Sequence, residues 1–275
     1  MKKTILGLWL LACLSLNALA ENIYPISREM GSGTRSAFVD IFEIYKSVNN
    51  KKIDAIAQKI EITNSTGIML TSVANSKNSI GYISLGALNN SIKPISINGV
   101  IPSVENITNK SYTIFRNFNV VTKLSNPLIE DFLAYTVSLE AKPIIQKAGY
   151  ISVSKGNFKS KNPRGKLIIA GSSSVTPLME KLKESYVKIN PNADIEISQS
   201  DSTIGVNSVI EGIADIGMVS REVKESELKK GVKPQVLAID GLAIIVNHQN
   251  PITNLTKEQV RKIFLGEITT WEQIQ

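Results

Sequence analysis

Hydrophobic and polar positions change period along the chain, and these changes predict helices alternating with strands. Apolar residues recur at helical spacing from Thr34 to Tyr45 and again from Val175 to Val187. Short β-rich runs at Leu167 to Ala170 and Asp194 to Ser198 are typical of buried strands. The chain is therefore predicted to be an α/β protein with parallel sheets.

The order strand, loop, helix is clearest after residue 166. The strand Leu167 to Ala170 is followed by the small-residue loop Gly171 to Ser174 and then by a helix. Ser202 begins the next predicted helix, and Ser220 follows the third strand. In a parallel sheet these positions meet at the carboxyl ends of the strands, where α/β proteins bind ligands. Each alone is an ordinary cap or loop, but their recurrence at equivalent places indicates a site.

A second candidate loop reads SREMGSGTR, from Ser27 to Arg35, and follows a short predicted strand. Gly31 and Gly33 let a backbone approach a ligand closely, and amides at a helix start favour an anion. Arg28 and Arg35 each offer a planar fork to a tetrahedral oxyanion. The stretch is a candidate half of an anion clamp, although the same pattern also serves as a plain loop and cap.

The first twenty residues have the pattern of a secretory signal peptide: two lysines, an apolar run from Ile5 to Leu16 and small residues up to Ala20. We expect cleavage after Ala20 and a periplasmic protein. A lipoprotein anchor through Cys13 is the less favoured alternative. Losing the two lysines lowers the formal net charge from +7 to +5.

Composition excludes several kinds of site. The chain has one cysteine, Cys13, and one histidine, His248, which argues against disulfides, histidine metal clusters and a serine-histidine triad. Basic residues (31, against 24 acidic) are scattered and not interleaved with aromatic residues as on a nucleic-acid surface. No enzyme, cofactor, metal or nucleic-acid partner is predicted. A secreted phosphohydrolase using the same pocket is the alternative that these counts disfavour.

Both halves of the chain resemble the phosphate-binding proteins of Pst-type ABC transporters, but in reversed order. The segment from Lys166 to Gln275 resembles the family's N-terminal half through GSSSVTPL, ADIGMVSRE, GLAIIVN and NLTKEQVRKIFLGEITTWEQI. The segment from Asn22 to Val153 resembles its C-terminal half through ISREMGSGTR, NSTGIMLTSVANS, IGYISLGAL and EAKPIIQKAGYISV. The sequence thus resembles a circular permutant, with the family's old ends joined through a polar linker at residues 154–166. An artefact of gene assembly is the alternative, which the signal peptide directly before Asn22 disfavours.

The resemblance implies a two-lobed, type II-like periplasmic binding protein whose lobes are joined by crossover strands and close on the ligand. After a signal peptide at residues 1–20, one lobe is expected to be split between residues 21–88 and 245–275. The other is expected to be continuous over residues 89–244, including the linker. The expected crossovers are the SIGYISLGAL and GLAIIVN strands.

The resemblance also implies the ligand-binding residues. Those of the continuous lobe are Ser174, Val175, Ser202 and Ser220, and those of the split lobe are Arg28, Ser32, Gly33 and Thr34. The implied function is a monomeric receptor that delivers inorganic phosphate to the permease subunits of an ABC transporter. Alternatives are a receptor for another tetrahedral oxyanion, or a phosphate-sensing or surface binding module without transport.

One departure affects selectivity. Some family members have a carboxylate after the third strand that accepts the proton of bound phosphate and repels sulfate. Ser220 stands there in this sequence, and Asp201 or Glu29 is the alternative acceptor.

Overall fold

The computed structural model describes residues 21–49 and 51–274, so the predicted signal peptide and Cys13 lie outside the described residues. The strands are β1 (Tyr24–Arg28), β2 (Tyr45–Val48), β3 (Lys51–Asp54), β4 (Glu61–Thr63), β5 (Ser79–Ser84), β6 (Lys93–Pro94), β7 (Ser96–Ile97), β8 (Phe115–Thr122), β9 (Ile151–Ser152), β10 (Gly165–Ser172), β11 (Ala193–Ser200), β12 (Ile216–Val219), β13 (Lys233–Val246) and β14 (Asn254–Leu255). The helices are α1 (Gly33–Ile41), α2 (Thr66–Ala74), α3 (Val104–Thr108), α4 (Pro127–Thr136), α5 (Lys142–Lys147), α6 (Thr176–Ile189), α7 (Ser202–Ile210), α8 (Glu225–Leu228) and α9 (Lys257–Leu265), with short 3₁₀ turns at Leu85–Ala87 and Trp271–Ile274.

Two parallel sheets, joined by antiparallel strands, form the framework. The strand order is β11-β10-β12-β8-β13-β5-β1-β4. β10 pairs in parallel with β11 and β12, and β1 pairs in parallel with β4 and β5. β8 and β13 are antiparallel to their neighbours in this order. The predicted α/β class and the two parallel sheets are confirmed.

The strand β13 passes from one sheet to the other. Its first part, up to Gly241, pairs with β8, whereas Leu242 to Val246 pair with β5. The prediction that the GLAIIVN segment is a crossover is therefore confirmed. The prediction that the SIGYISLGAL segment is the other crossover is wrong, because its strand β5 stays within one lobe. The second connection between the lobes is the chain that runs from Ile114 into β8.

Each lobe has its own apolar core, and the cores correct the predicted boundaries. Ile95, Ile107 and Tyr112 pack with residues of α1, α9 and the second part of β13. Residues 92–114 therefore belong to the split lobe, and the predicted boundary after residue 88 is wrong. We define the split lobe as residues 21–49, 51–114 and 242–274, and the continuous lobe as residues 115–241. The continuous lobe is built around β10, α4, α6 and the first part of β13.

The helix predicted from Thr34 to Tyr45 is shorter in the structure. α1 ends at Ile41, Glu43 takes a positive φ of 57°, and Ile44 returns fully buried into the core. Tyr45 then begins the hairpin of β2 and β3. Apolar spacing alone could not separate these buried residues from a last helical turn, because both patterns place an apolar residue every three or four positions.

The two ends of the described chain lie side by side. The Ile23 amide donates to the Thr269 carbonyl oxygen (2.8 Å), and the Trp271 amide donates to the Glu21 carbonyl oxygen (3.0 Å). Asn22 and Thr270 form an antiparallel bridge. None of the helices in residues 21–49 and 51–274 has the length and apolar character needed to cross a membrane.

Candidate functional site

Four helices begin at one buried place between the lobes. α1 and α2 belong to the split lobe, and α6 and α7 belong to the continuous lobe. Buried hydroxyl side chains lie at or just before these helix starts and at the end of β12; we call them the hydroxyl cluster, and they are Thr34, Thr66, Ser172, Ser173, Ser174, Ser202 and Ser220. The first amides of a helix lack partners within it, so helix starts favour an anion.

Hydroxyl groups of the two lobes are within hydrogen-bond distance of each other. The Thr34 Oγ1 atom lies 2.8 Å from the Ser174 Oγ atom and 3.4 Å from the Ser220 Oγ atom. The Thr66 Oγ1 atom lies 3.1 Å from the Ser174 Oγ atom. Within the continuous lobe, Ser172 donates to Ser220 (2.9 Å), and the Ser220 amide donates to the Ser202 Oγ atom (3.0 Å). The two halves of the predicted clamp therefore form one connected network in a closed arrangement.

Arg28 brings a positive charge to this network. Only 2% of Arg28 is exposed, and its Nη2 atom donates to the Ser173 Oγ atom at 3.2 Å. Glu29 accepts from both Nε (2.8 Å) and Nη2 (2.7 Å) of Arg28, which fixes the guanidinium plane. Burial raises the pKa of Tyr82 to about 12. The phenol therefore stays protonated, and its oxygen accepts a hydrogen bond from the Arg28 amide (3.1 Å).

The backbone at Gly33 lies directly against the opposite lobe. A Cβ atom there would stand 2.3 Å from the Ser202 Oγ atom and 2.6 Å from the Ser220 Oγ atom. Glycine is thus required by space rather than by an unusual φ angle. Ser32, one residue earlier, is the N-cap of α1, and its Oγ atom accepts from the Arg35 amide (3.2 Å).

Comparison with known proteins places this architecture in a family. The sequence model of the PBP superfamily domain matches residues 158–275. Phosphate-binding protein PstS 2 of Streptococcus agalactiae is 43% identical over 277 residues, covering 98% of this chain and 94% of that protein. The protein of the same name from Streptococcus pneumoniae is 38% identical, with coverages of 98% and 95%. The chain belongs to the PstS family of phosphate-binding proteins.

A solved structure of a phosphate-binding protein has the same fold. The crystal structure of a phosphate ABC transporter phosphate-binding protein from Streptococcus pneumoniae matches with a TM-score of 0.72 and 39% identity. The match covers 92% of this chain and 100% of that one. The two-lobed binding-protein fold is thereby confirmed. The alignments with the two Streptococcus proteins run nearly end to end, so these relatives have their segments in the same order as this chain. A permuted order relative to other members of the family stays a prediction.

The structure brings the predicted PstS-type residues together in different ways. Arg28, Thr34, Ser174, Ser202 and Ser220 are members of the connected network described above or contact it. Ser32 and Gly33 form the start of α1 beside them, and the side chain of Val175 is fully buried at the start of α6. The Val175 amide donates to the Ser172 carbonyl oxygen (3.0 Å). Their role as ligand-binding residues stays a prediction.

Sequence reasoning missed three members of the hydroxyl cluster. Thr66 is the first residue of α2. Its amide nitrogen lies 3.3 Å from the Ser173 Oγ atom, and its Oγ1 atom lies 3.4 Å from the same atom. Ser172 and Ser173 stand in the loop that the sequence did single out, but only Ser174 was selected. The signal for Thr66 was the sequence Ser-Thr-Gly at residues 65–67, which alone is typical of an ordinary helix cap.

Arg35 and the two candidate carboxylates already have other partners. Arg35 donates to Asp54 (2.6 Å) and to the Arg28 carbonyl oxygen (2.8 Å), so it supports the loop from within. Both carboxylate oxygens of Glu29 accept from Arg28. Asp201 is the N-cap of α7, and its Oδ1 atom accepts from the Ile204 amide at 2.8 Å.

An open groove between the lobes runs beside the hydroxyl cluster. It is lined by residues next to the cluster in sequence and by their neighbours: Glu29, Asn64, Ser65, Gln199, Ser200, Asp201 and Ile204. Both lobes contribute to this lining.

Proposed function

We propose that this protein is a phosphate receptor of the ABC-transporter type, which holds one phosphate ion between its lobes. The observation that carries the proposal is the convergence of helix starts and buried hydroxyls from both lobes beside the buried side chain of Arg28. Neither lobe alone surrounds a tetrahedral ion. Closure is therefore part of binding.

The arrangement suits a dehydrated dianion. Hydroxyls and helix-start amides are neutral donors that satisfy the oxygens of the ion without excess charge, and a charge-assisted hydrogen bond from Arg28 is about twice as strong as a neutral one. Glu29 holds the guanidinium and compensates part of its charge. Ligand contacts from Ser32, Gly33, Thr34, Ser174, Val175, Ser202 and Ser220 complete the proposed clamp.

Selectivity between phosphate and other oxyanions follows from the hydroxyls. A serine or threonine hydroxyl both donates and accepts, so it can receive the phosphate proton without the strict rejection that a carboxylate gives. The oxygens of Glu29 accept from Arg28, and the Oδ1 atom of Asp201 caps α7, so both carboxylates have hydrogen bonds directed away from the cluster. This favours, as a second candidate, a receptor with weaker discrimination against other tetrahedral oxyanions.

The cellular setting belongs to the same proposal. The PstS relatives are binding proteins by name, and the solved one is described as part of a phosphate ABC transporter. We infer a monomeric, non-enzymatic receptor outside the cytoplasmic membrane, in the periplasm if the signal peptide acts as expected, that passes phosphate to permease subunits. A phosphate-sensing module without transport is the alternative, and phosphate uptake by cells lacking the gene distinguishes the two.

Titration calorimetry with phosphate and with sulfate near neutral pH tests the proposal. We expect one phosphate per chain and a loss of about 2–5 kcal/mol of binding free energy in Arg28→Gln, because that variant leaves the Glu29 charge unpaired. Arg164→Gln removes the same charge from an exposed position and is the matched control. Absence of phosphate binding would contradict the proposal, and equal affinity for sulfate would favour the second candidate.

A further inference from the structure

Outside the hydroxyl cluster, one backbone carbonyl of the split lobe is gripped by the continuous lobe. The Gly31 carbonyl oxygen accepts from the Thr203 amide at 3.2 Å and from the Thr203 Oγ1 atom at 3.1 Å. Thr203 is the second residue of α7, where an amide has no partner within its own helix. A carbonyl from the opposite lobe thus caps the helix, while Asp201 caps the next amide, that of Ile204.

Arg221 orients the Thr203 hydroxyl. The Arg221 Nη2 atom lies 3.4 Å from the Thr203 Oγ1 atom, and a guanidinium can only donate. The single hydroxyl proton of Thr203 is therefore left to point at the Gly31 oxygen. Glu227 holds Arg221 with two hydrogen bonds, of 2.9 and 2.7 Å. Burial would raise the pKa of Glu227, but hydrogen bonds from Arg221 and from the Lys224 amide lower it, so this anchor stays ionised at neutral pH.

The backbone at Gly31 lies so close to the continuous lobe that it leaves no room for a side chain. A Cβ atom on Gly31 would lie 2.3–2.7 Å from the carboxylate of Asp201. That carboxylate is held in place by its hydrogen bond to the start of α7. The approach of the two lobes at this point therefore depends on the absence of a side chain, independently of the contacts at Gly33.

We propose that the Gly31 carbonyl, Thr203 and Arg221 form an interlobe latch that stabilises the closed state and so sets how long the anion stays bound. The proposal rests on the proposed function for its ligand. Thr203 is a positioning residue in this account. Opening the lobes breaks the hydrogen bonds between the Gly31 carbonyl and Thr203 and leaves both groups to water, and closing the lobes forms these hydrogen bonds again. Removing the Thr203 hydroxyl should therefore lower the closed-to-open ratio by about two- to tenfold, which corresponds to the net free energy of one hydrogen bond.

The test uses Thr203→Val, which keeps the shape and removes the hydroxyl, and Thr203→Ser, which retains the hydroxyl. Energy transfer between dyes on cysteines at the exposed residues Thr71 and Ser198, one in each lobe, reports the ratio of closed to open molecules in a Cys13→Ser background. Stopped-flow mixing with inorganic phosphate gives its association and dissociation rates. Thermal unfolding checks that each variant is folded.

We expect Thr203→Val to lower the closed-to-open ratio and to raise the phosphate dissociation rate by about two- to tenfold, with an unchanged association rate. Thr203→Ser should restore both, and Gly31→Ala should change both in the same direction as the valine variant. The latch is refuted if Thr203→Val matches wild type in both readouts, or if Thr203→Ser loses as much as valine. If wild type fails to bind phosphate, the proposed function fails, and the ligand-free closed-to-open ratio still decides the latch.

Discussion

At the scale of single residues, the site depends on glycines that lack a side chain as much as on hydrogen-bond donors. Gly33 faces Ser202 and Ser220 of the opposite lobe, and a Cβ atom added to it would collide with their hydroxyls. Gly67 is also an early helical glycine of the split lobe, but a Cβ atom there would meet nothing within 4 Å. The two positions separate the effect of closure from the general effect of replacing glycine.

Gly33→Ala should therefore weaken phosphate binding by about 1–3 kcal/mol, roughly fivefold to a hundredfold, because the closed state is overpacked. Calorimetric titration measures the loss. Gly67→Ala is the control, and it should bind like wild type with equal or slightly higher stability. Equal affinities for Gly33→Ala and wild type would mean that phosphate is not held by the closed arrangement.

Sequence reasoning at this scale could identify residue types but not partners. It placed Arg28, Thr34 and Ser174 in one clamp through family resemblance, and their contacts agree with that grouping. The loop pattern alone could not separate Arg28 from Arg35, which stand seven residues apart, and it was the family resemblance that selected Arg28. Only the fold shows that Arg35 is paired with Asp54 and that Arg28 contacts the opposite lobe.

At the scale of elements, the two connections between the lobes share a buried ion pair. Arg116 of β8 donates to Asp240 of β13 through Nε (3.1 Å) and Nη2 (3.0 Å). Ser84, at the end of β5, donates to the same carboxylate at 2.7 Å. Burial raises the pKa of Asp240 despite the nearby guanidinium, and burial lowers the pKa of Arg116. Each charge therefore depends on the other.

Asp240→Asn should lower the free energy of unfolding by about 3–5 kcal/mol, since it leaves the buried Arg116 charge uncompensated. Chemical denaturation measures this change. Glu196→Gln removes one partner of the exposed pair with Lys166 and should cost only about 0–1 kcal/mol. If the two variants lose similar stability, the pair at the crossover has no special role.

Strong local patterns predicted the elements well, and weak ones did not. The helix predicted from Val175 to Val187 and the strand predicted at Asp194 to Ser198 are confirmed as α6 and β11, because apolar periodicity marks both. The turn-rich segment after residue 88 has only two-residue strands, and its place in the split-lobe core depends on Ile95 and Ile97 meeting distant parts of the chain. Such long-range packing leaves no periodic pattern of apolar residues in the local sequence from which it could be predicted.

At the scale of the whole molecule, a permutation involves two places: the present chain ends, and the linker at residues 154–166 that would join the family's old ends. Glu21 and Trp271 are hydrogen-bonded neighbours, so a join there needs only a short bridge. The linker at residues 154–166 is packed rather than free. Phe158 stacks edgewise on Tyr135, and Asp131 accepts from Ser160 (2.6 Å) and from the Lys161 amide (2.9 Å). The chain just before β10 is exposed and is the best place for a cut.

A chain cut between Arg164 and Gly165, with Gln275 joined to Glu21 by a short Gly-Ser bridge, should fold and bind phosphate within a fewfold of the original. Permutation is tolerated where the old ends are close and the new ends lie in an exposed turn. Thermal unfolding and calorimetry measure the outcome. A cut inside residues 157–161 is the comparison, and it should be less stable because it separates Phe158 or Asp131 from its partners. Failure of the Arg164 and Gly165 chain to fold would count against the permuted order.

The central claim is that one phosphate ion is held between the lobes, and a crystal structure of the protein with phosphate tests it most directly. The account predicts a single tetrahedral ion bounded by Arg28, by the start of α1 and by the Ser173 to Val175 loop, with hydroxyls of both lobes contacting its oxygens. A phosphate ion bound elsewhere, or contacted by only one lobe while the other stays apart, would contradict the account.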